Sequence, residues 1–348
     1  MQPALAELVK LDIYRELMGE KKDLSVALAK VKIDDEELHL LVDTGSQYTF
    51  GVWKTWYEEK VPGGCDKLIY KCYECKPPPC TKGPTKTIEF ADGTEADIFQ
   101  QSGSLDLNQL GSKLISFGLV SRYTSPYSIH AGLGLGPATA SIKPYTPILK
   151  QLEGVLPSTA FSLYLRPGDK PSGQLILGGQ DPSLYQGPIV NFNFDEFYGI
   201  QLSGFRVGDD SYSVDPASGD IEIDTGASDF LVPWWALQKI VEYLKTRGTK
   251  QVEINKIDDV YEVACDDVKY LPPLTIFLKD SIGKDTPLTL SPEVYVLPPA
   301  EPGKASCLLI ITDSSSGDWV LGCNVLVGRY FYFNYDQKVM GFASLKEG

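Results

Sequence analysis

The sequence is poor in histidine and has no long apolar run. Only two histidines, His39 and His130, occur among its 348 residues. A histidine-rich metal site is therefore nearly excluded, and a serine or cysteine nucleophile would have to use one of these two as its base. No apolar run approaches the roughly 20 residues that a membrane-spanning helix needs. We expect no metal, no cofactor and no membrane span.

Positive charge is also scarce. The 32 lysines and arginines face 46 aspartates and glutamates, which gives a formal net charge of −14. Nucleic acids and anionic membrane surfaces are bound by clustered cations, so neither is an expected partner. The acidity fits either solubility or tolerance of an acidic medium, and the sequence leaves both explanations open.

Glycine, proline and tyrosine, by contrast, are plentiful, with 32, 24 and 19 residues. This composition favours many short strands joined by tight turns. The chain is longer than the roughly 250–300 residues at which a single core stops growing. We therefore predict a mainly β protein with two lobes.

Local patterns place the first predicted elements. Residues 4–18 carry apolar side chains at helical spacing and predict an amphipathic helix, with a remnant of an activation segment as an unsupported alternative. The segments 25–33 and 38–42 predict strands. Proline followed by a helical pattern and then glycine predicts helices at 147–153 and 233–247. Asp92-Gly93 lies between two extended runs and predicts a hairpin.

The cysteine count is odd, so one thiol is left over if the others form disulfides. The simplest explanation is disulfide bonding in an oxidising compartment. A zinc knuckle built on the Cys72-x-x-Cys75 pair is an alternative, although no second such pair completes it. The seven cysteines are Cys65, Cys72, Cys75, Cys80, Cys265, Cys307 and Cys323.

Two segments are near copies of each other. The segment 40–46, LLVDTGS, and the segment 221–228, IEIDTGAS, both run from an apolar strand through Asp-Thr-Gly into small residues. A given tripeptide occurs by chance about once in several thousand positions at average residue usage. Two copies with the same flanks therefore indicate a repeated site rather than two unrelated turns.

The repeat predicts a pair of carboxylates. Two such loops related by pseudo-symmetry would set Asp43 beside Asp224. Like charges a few ångströms apart cannot both ionise, so the pair shares one proton across acidic pH. One carboxylate can then take a proton from water while the other donates one to a carbonyl oxygen. This chemistry is general acid–base hydrolysis without a metal.

With these motifs the chain resembles the pepsin-like aspartic peptidases, and among them the polyporopepsin-type enzymes of fungi. The resemblance implies a bilobal, mainly β fold of two pseudo-symmetric β-barrel-like lobes, residues 1–188 and 189–348, with a cleft between them. It also implies a disulfide between Cys265 and Cys307. The further segments that carry the resemblance are AGLGLG at 131–136, GQLILGGQDPSLYQG at 173–187, YGI at 198–200 and VLG at 320–322.

The resemblance further implies the roles of individual residues. Asp43 and Asp224 would be catalytic, and a flap hairpin would cover them. The expected substrate is an extended polypeptide, statine-type inhibitors are expected to bind, and the protein is expected to be a monomer. Residues that would support the aspartates are Thr44, Gly45, Ser46, Thr225, Gly226 and Ala227, and those of the flap are Phe50, Phe90, Ala91, Asp92 and Gly93.

The chain departs from the family pattern at the flap. Phe90 stands where the family carries a tyrosine, and Phe50 where it carries that tyrosine's tryptophan partner. We expect an apolar lid and weaker activity. Asp92 is either a selector for lysine next to the cleaved bond or an ordinary hairpin residue. Ser46 is expected to hydrogen-bond Asp43.

Two functions compete. The first is an active endopeptidase, supported by both intact Asp-Thr-Gly motifs. The second is a catalytically weak or inactive binding or inhibitor protein on the same scaffold, favoured by the two flap phenylalanines. In either case we expect His39 and His130 to be structural and Cys323 to be a buried free thiol. The expected location is outside the cell or in an acidic vacuole or lysosome, with the chain close to its mature form.

Overall fold

The computed structural model describes residues 7–19, 24–124, 129–137, 142–194, 197–214, 219–257, 260–299, 303 and 305–346. In this part of the chain, β-strands dominate, which confirms the mainly β prediction. The strands are β1 (Val9–Met18), β2 (Leu24–Ile33), β3 (Glu36–Asp43), β4 (Phe50–Val52), β5 (Thr85–Glu89), β6 (Glu95–Asp106), β7 (Ser112–Tyr123), β8 (Gly132–Gly134), β9 (Ala160–Arg166), β10 (Ser172–Leu177), β11 (Tyr185–Asn193), β12 (Gly199–Val207), β13 (Asp210–Ser213), β14 (Asp220–Ile223), β15 (Phe230–Val232), β16 (Ile254–Ile257), β17 (Val260–Ala264), β18 (Leu274–Lys279), β19 (Asp285–Leu290), β20 (Val296–Leu297), β21 (Ser306–Leu309), β22 (Ile311–Asp313), β23 (Trp319–Leu321), β24 (Arg329–Asn334) and β25 (Val339–Leu345).

Helices are few and short. The α-helices are α1 (Lys54–Lys60), α2 (Ile148–Gln151), α3 (Trp234–Thr246) and α4 (Pro292–Tyr295), and 3₁₀ helices cover Asn108–Leu110, Cys265–Tyr270 and Cys323–Leu326. The two predicted helices are α2 and α3, and in both the proline occupies the position before the first helical residue. No helix within the described ranges is long and apolar enough to cross a membrane.

Three sheets organise the strands of the described residues. The largest has thirteen strands in the order β11-β25-β24-β9-β10-β1-β2-β3-β8-β4-β7-β6-β5, the second has eight and the third four. The last two strands of the chain thus return to the first half, where β24 pairs with β9. The predicted division at 188/189 falls within β11 and remains a prediction.

The helix predicted at 4–18 is wrong, because the described part of this segment is strand β1. Val9, Leu11 and Ile13 are buried while the residues between them are exposed. This alternation is that of a strand, and β1 pairs with β10 on one side and β2 on the other. The apolar residues of this short segment fit both the helical and the strand repeat. Burial between β10 and β2 selects the strand. Residues 4–6 lie outside the described ranges.

The predicted strands at 25–33 and 38–42 are confirmed as β2 and β3. The predicted hairpin is confirmed as β5 and β6, whose last pair is Glu89 with Glu95. Its turn is closed by a hydrogen bond from the amide of Gly93 to the carbonyl of Phe90, 2.9 Å long. Gly93 has a φ of 78°, a conformation that suits glycine.

Two matching strand pairs position the repeated motif. In the first half, β3 runs parallel to β8, and Leu41, Val42 and Asp43 pair with residues 132–134. In the second half, β14 runs parallel to β23, and residues 221–223 pair with residues 319–321. Each Asp-Thr-Gly loop therefore leaves a short parallel pair at its carboxyl end.

Three disulfides cross-link the chain. Cys265 is bonded to Cys307, as the resemblance implied. The four cysteines between positions 65 and 80, whose pairing the sequence left open, form the bonds Cys65–Cys72 and Cys75–Cys80. These bonds consume the thiolates that a zinc knuckle would require, so the zinc alternative is wrong.

Candidate active site

The ends of β3 and β14 bring the two aspartates together. Asp43 is the last residue of β3, and Asp224 follows the last residue of β14. Their carboxyl groups hydrogen-bond each other. The structure thus unites the two residues that the repeat singled out.

Two threonines bridge the loops. Thr44 Oγ1 donates a hydrogen bond to the carbonyl oxygen of Ile223 at 2.7 Å, and Thr225 Oγ1 donates to the carbonyl oxygen of Val42 at 2.6 Å. Each hydroxyl also accepts from the amide of the other threonine, at 2.9 Å into Thr44 and 3.2 Å into Thr225. Both threonines are fully buried, so these bonds satisfy donors and acceptors that water cannot reach.

Gly45 and Gly226 allow the carboxylates to approach the opposite loop. A Cβ atom on Gly45 would lie 2.6 Å from Cγ of Asp224, and one on Gly226 would lie 2.6 Å from Oδ1 of Asp43. Both distances are shorter than real contacts allow. Any side chain at either position would push the carboxylates apart, so the geometry of the pair depends on both glycines.

The environment separates the two carboxyls electrostatically. Burial raises the pKa of Asp43 well above its usual range and the charge of Asp224 raises it further, although the amides of Gly45 and Ser46 act in the opposite direction. Burial also raises the pKa of Asp224, but amides of Gly226, Gly45 and Ala227 and the hydrogen bond from Asp43 act in the opposite direction. Asp43 is therefore the protonated member of the pair, and its carboxyl group donates a hydrogen bond to Asp224. The amide of Gly226 lies 2.8 Å from Asp224 Oδ1, and that of Gly45 lies 3.1 Å from the same atom.

The small residues after the glycines complete the loops. The predicted bond from Ser46 to Asp43 is made by the backbone amide of Ser46. The Ser46 hydroxyl instead accepts from the amide of Tyr48 at 3.1 Å. Ala227 has its amide 3.2 Å from the carbonyl oxygen of Asp224, and its own carbonyl accepts from the amide of Cys323 at 2.9 Å.

The flap hairpin, defined as β5, β6 and the turn between them, rests on an aromatic cluster. The ring of Phe90 lies 4.5 Å from that of His130, 6.1 Å from that of Phe50 and 6.2 Å from that of Tyr123. Because Phe50 pairs with Gly132 in β8, the cluster is one strand away from β3. The structure therefore brings the predicted residues Phe50 and Phe90 together.

His130 belongs to this cluster, although no local pattern in the sequence connects it with the flap. Its Nδ1 lies 2.7 Å from the hydroxyl of Tyr123. Burial lowers the pKa of His130 to about 4, although the charge of Asp92 acts in the opposite direction. The imidazole is thus neutral above that pH, and its Nδ1 shares a hydrogen bond with the tyrosine hydroxyl. His39, the other histidine, lies 2.7 Å from the hydroxyl of Tyr14 through its Nδ1.

Asp92 is engaged within its own turn. Its Oδ1 accepts from the amide of Thr94 at 2.9 Å and from the Thr94 hydroxyl at 2.7 Å. These bonds are those of an ordinary hairpin aspartate. Ala91, beside it, is exposed. Selection of lysine by Asp92 remains a prediction.

Glu222 is a carboxylate near the pair, and the repeated motif does not mark it as part of the site. It lies two residues before Asp224 in β14, and Ile221 and Ile223 on either side of it are fully buried. Burial raises the pKa of Glu222 to about 8, with further contributions from Asp224, Asp43 and Asp318. The segment was interpreted as an apolar strand, although the alternation of strand residues places Glu222 on the face that carries Asp224.

Cys323 is a buried free thiol, as predicted. Its Sγ donates a hydrogen bond to the carbonyl oxygen of Ser25 at 3.2 Å, and burial raises the pKa of the thiol to about 11. A thiol in this state is a poor nucleophile. Within the described residues, no group of three or more histidine, cysteine, aspartate or glutamate side chains could hold a metal ion.

Comparison with known proteins gives consistent matches. Residues 28–345 match the family model for eukaryotic aspartyl protease. Cathepsin D of Mus musculus is 28% identical over 224 residues, which cover 61% of this chain and 51% of that protein. Cathepsin D of Homo sapiens is 28% identical over 223 residues, with the same two coverages. Renin-2 of Mus musculus is 27% identical over 275 residues, covering 75% of this chain and 65% of that protein. The chain spans about half the length of the cathepsin D relatives that it matches.

Proposed function

The chain belongs to the eukaryotic aspartyl protease family, and on this premise we propose that it is an endopeptidase that hydrolyses peptide bonds at acidic pH. Its fold is the mainly β, pepsin-like fold of that family. The observation that carries the proposal is the hydrogen-bonded pair of Asp43 and Asp224, each set at the end of a strand and bridged to the other by buried threonines.

The pKa directions assign a role to each carboxyl. Asp224, the ionised partner, accepts a proton from a water molecule as the water oxygen attacks the peptide carbonyl carbon. Asp43, the protonated partner, donates its proton to the carbonyl oxygen. In the second step Asp224 gives its proton to the leaving nitrogen, and Asp43 takes a proton from a hydroxyl group of the tetrahedral intermediate. The carbon–nitrogen bond then breaks, and the pair regains its starting protonation state. No covalent bond to the protein forms.

The flap hairpin carries Phe90, a side chain without a hydroxyl group, where the family carries a tyrosine. Phe90 can exclude water from the reacting bond through its ring, and the packing of this ring on His130 and Phe50 holds it in place. A polypeptide in extended conformation is the substrate that suits a strand-like cover of this kind. We also propose that the protein is a monomer and that statine-type inhibitors bind to its active site.

The location of the protein belongs to the proposal as well. Three disulfides are typical of proteins that fold in an oxidising compartment. Secretion, or delivery to an acidic vacuole or lysosome, would pass the chain through an oxidising compartment. It would also be compatible with activity in acid, which the shared proton requires.

Cleavage of an acid-denatured carrier protein between about pH 3 and 5 tests the proposal. We expect the wild type to cleave, and Asp43→Asn and Asp224→Asn each to lose at least about 10²–10⁴-fold in rate, the range for general acid–base groups. A statine-type inhibitor should block the wild type. If folded wild-type protein with a confirmed amino terminus cleaves nothing, the alternative of a binding or inhibitor protein, which the absence of a flap hydroxyl favours, replaces the proposal.

A further inference from the structure

A third acidic side chain lies beside the aspartate pair and takes no part in the proposed reaction. Residues two apart in extended backbone share a face and are about 6.5–7 Å apart, so Glu222 in β14 lies on the same side as Asp224, which follows the strand. Its neighbours Ile221 and Ile223 fill the opposite, fully buried face. Glu222 itself retains partial exposure, so a bound chain can reach it.

Glu222 has no partner within the described part of the chain. Neither a hydrogen-bond donor nor a cation contacts its carboxyl group, and the charges that act on it, those of Asp224, Asp43 and Asp318, are all negative. A partly buried carboxyl without a donor is costly unless a ligand supplies one. Asp92, the candidate selector from the sequence, differs in this respect because Thr94 already occupies its oxygen.

We propose that Glu222 is a specificity-determining residue that receives a lysine or arginine side chain of the substrate, next to the cleaved bond. The inference rests on the proposed peptidase function. An extended substrate advances about 3.4 Å per residue, so a side chain flanking a bond held at Asp43 and Asp224 comes within reach of Glu222. The matching position of the first motif is Leu41, which is buried and apolar.

The preference should depend on pH. Without substrate, burial and then the charges of Asp224, Asp43 and Asp318 hold the pKa of Glu222 at about 8. An opposite charge within about 4–6 Å lowers the pKa of a carboxyl by about one to three. A bound lysine therefore lowers the pKa of Glu222 and favours its ionised form. Selection of lysine is expected to be weak at pH 4 and to grow towards pH 6.5.

Two fluorogenic peptide series provide the test. In one series the residue before the cleaved bond is lysine or norleucine, and in the other the residue after it, so that each pair differs only in the ammonium group. For the wild type we expect the lysine-to-norleucine ratio of kcat/KM to rise about tenfold between pH 4 and 6.5 in one of the series. A flat ratio in both series overturns the inference, whatever the variants do.

Four variants locate the effect. Glu222→Gln should abolish the rise, and Asp318→Asn should shift it towards lower pH because one of the charges that raise the pKa of Glu222 is gone. Glu253→Gln, which removes an exposed carboxylate elsewhere, should behave as the wild type. If Asp92→Asn abolishes the rise and Glu222→Gln does not, Asp92 is the selector and the inference is wrong. Absence of all cleavage by the wild type would instead remove the proposed function, and the inference with it.

Discussion

The two Asp-Thr-Gly loops share a frame and differ in what surrounds it. Each follows a strand held in a parallel pair, β3 with β8 and β14 with β23. Each threonine hydroxyl bonds the strand of the other half, and each glycine makes room for the other carboxylate. The frame is therefore a reciprocal one, in which neither loop has its geometry without the other.

The surroundings are apolar and aromatic on one side and acidic on the other. In the first half, Leu41 lies two residues before the aspartate, and His130 precedes β8. In the second half, Glu222 and Asp318 occupy the matching places beside β14 and β23. Burial lowers the pKa of His130 to about 4 and raises that of Glu222 to about 8. The symmetric frame fixes the position of the carboxylates, while the asymmetric surroundings shift the pKa values of His130 and Glu222 in opposite directions.

The largest expected effect breaks the shared frame. Gly45→Ala and Gly226→Ala each place a Cβ atom 2.6 Å from a carboxylate atom. Because a displacement of about 1 Å can cost about 10²-fold in rate, we expect kcat/KM to fall at least about 10²-fold in both variants. Gly83→Ala, where a Cβ atom meets nothing within 4 Å, is the control and should be neutral. A reciprocal frame is refuted if one loop tolerates alanine and the other does not.

The second effect concerns the first half alone. In the unfolded chain His130 titrates near pH 6.5, whereas burial lowers its pKa in the folded protein to about 4. The unfolded state thus binds more protons between these values, and stability falls as pH decreases from about 6.5 to about 4, by about 3 kcal/mol in total. His130→Phe should lack this loss. Urea unfolding of both proteins at pH 7, 5.5 and 4 measures it, and an equal decrease in both would contradict the assignment.

The third effect has the opposite sign and belongs to the second half. The pKa of Glu222 is raised from 4.5 to about 8 in the folded protein, so stability falls as pH increases from about 4.5 to about 8. Glu222→Gln should therefore stabilise the protein at pH 8, by about 2 kcal/mol after allowance for partial exposure, and leave it unchanged at pH 4. The same urea series detects the difference. Stabilisation that is equal at both pH values would show that the effect is not one of ionisation.

Much of the site could be predicted because its signals are local. Asp43 and Asp224 belong to a repeated tripeptide, and Asp92-Gly93 predicts the hairpin. The long-range parts could not be predicted in this way. The alternation of Val9, Leu11 and Ile13 fits a strand, but the segment forms one only by pairing with β2 and β10. The second of these strands is more than 150 residues away along the chain. The pairing of the four cysteines between positions 65 and 80 likewise depends on the folded loop.

Glu222 was missed for a different reason. The strand before the second motif was interpreted as apolar as a whole, whereas only Ile221 and Ile223 face the core. Counting back by two from Asp224 would have identified the residue. His130 carried no such signal, because its contact with Phe90 joins parts of the chain that no local pattern connects.

The pH dependence of kcat/KM for the wild type on a norleucine peptide tests the central claim most directly, because it reports the ionisation of the pair in the free enzyme. One shared proton between Asp43 and Asp224 predicts a bell-shaped profile with its maximum in acid. The rate should fall at lower pH as Asp224 is protonated and fall at higher pH as Asp43 loses its proton. A rate that continues to rise through neutral pH would contradict the shared proton and the reaction built on it.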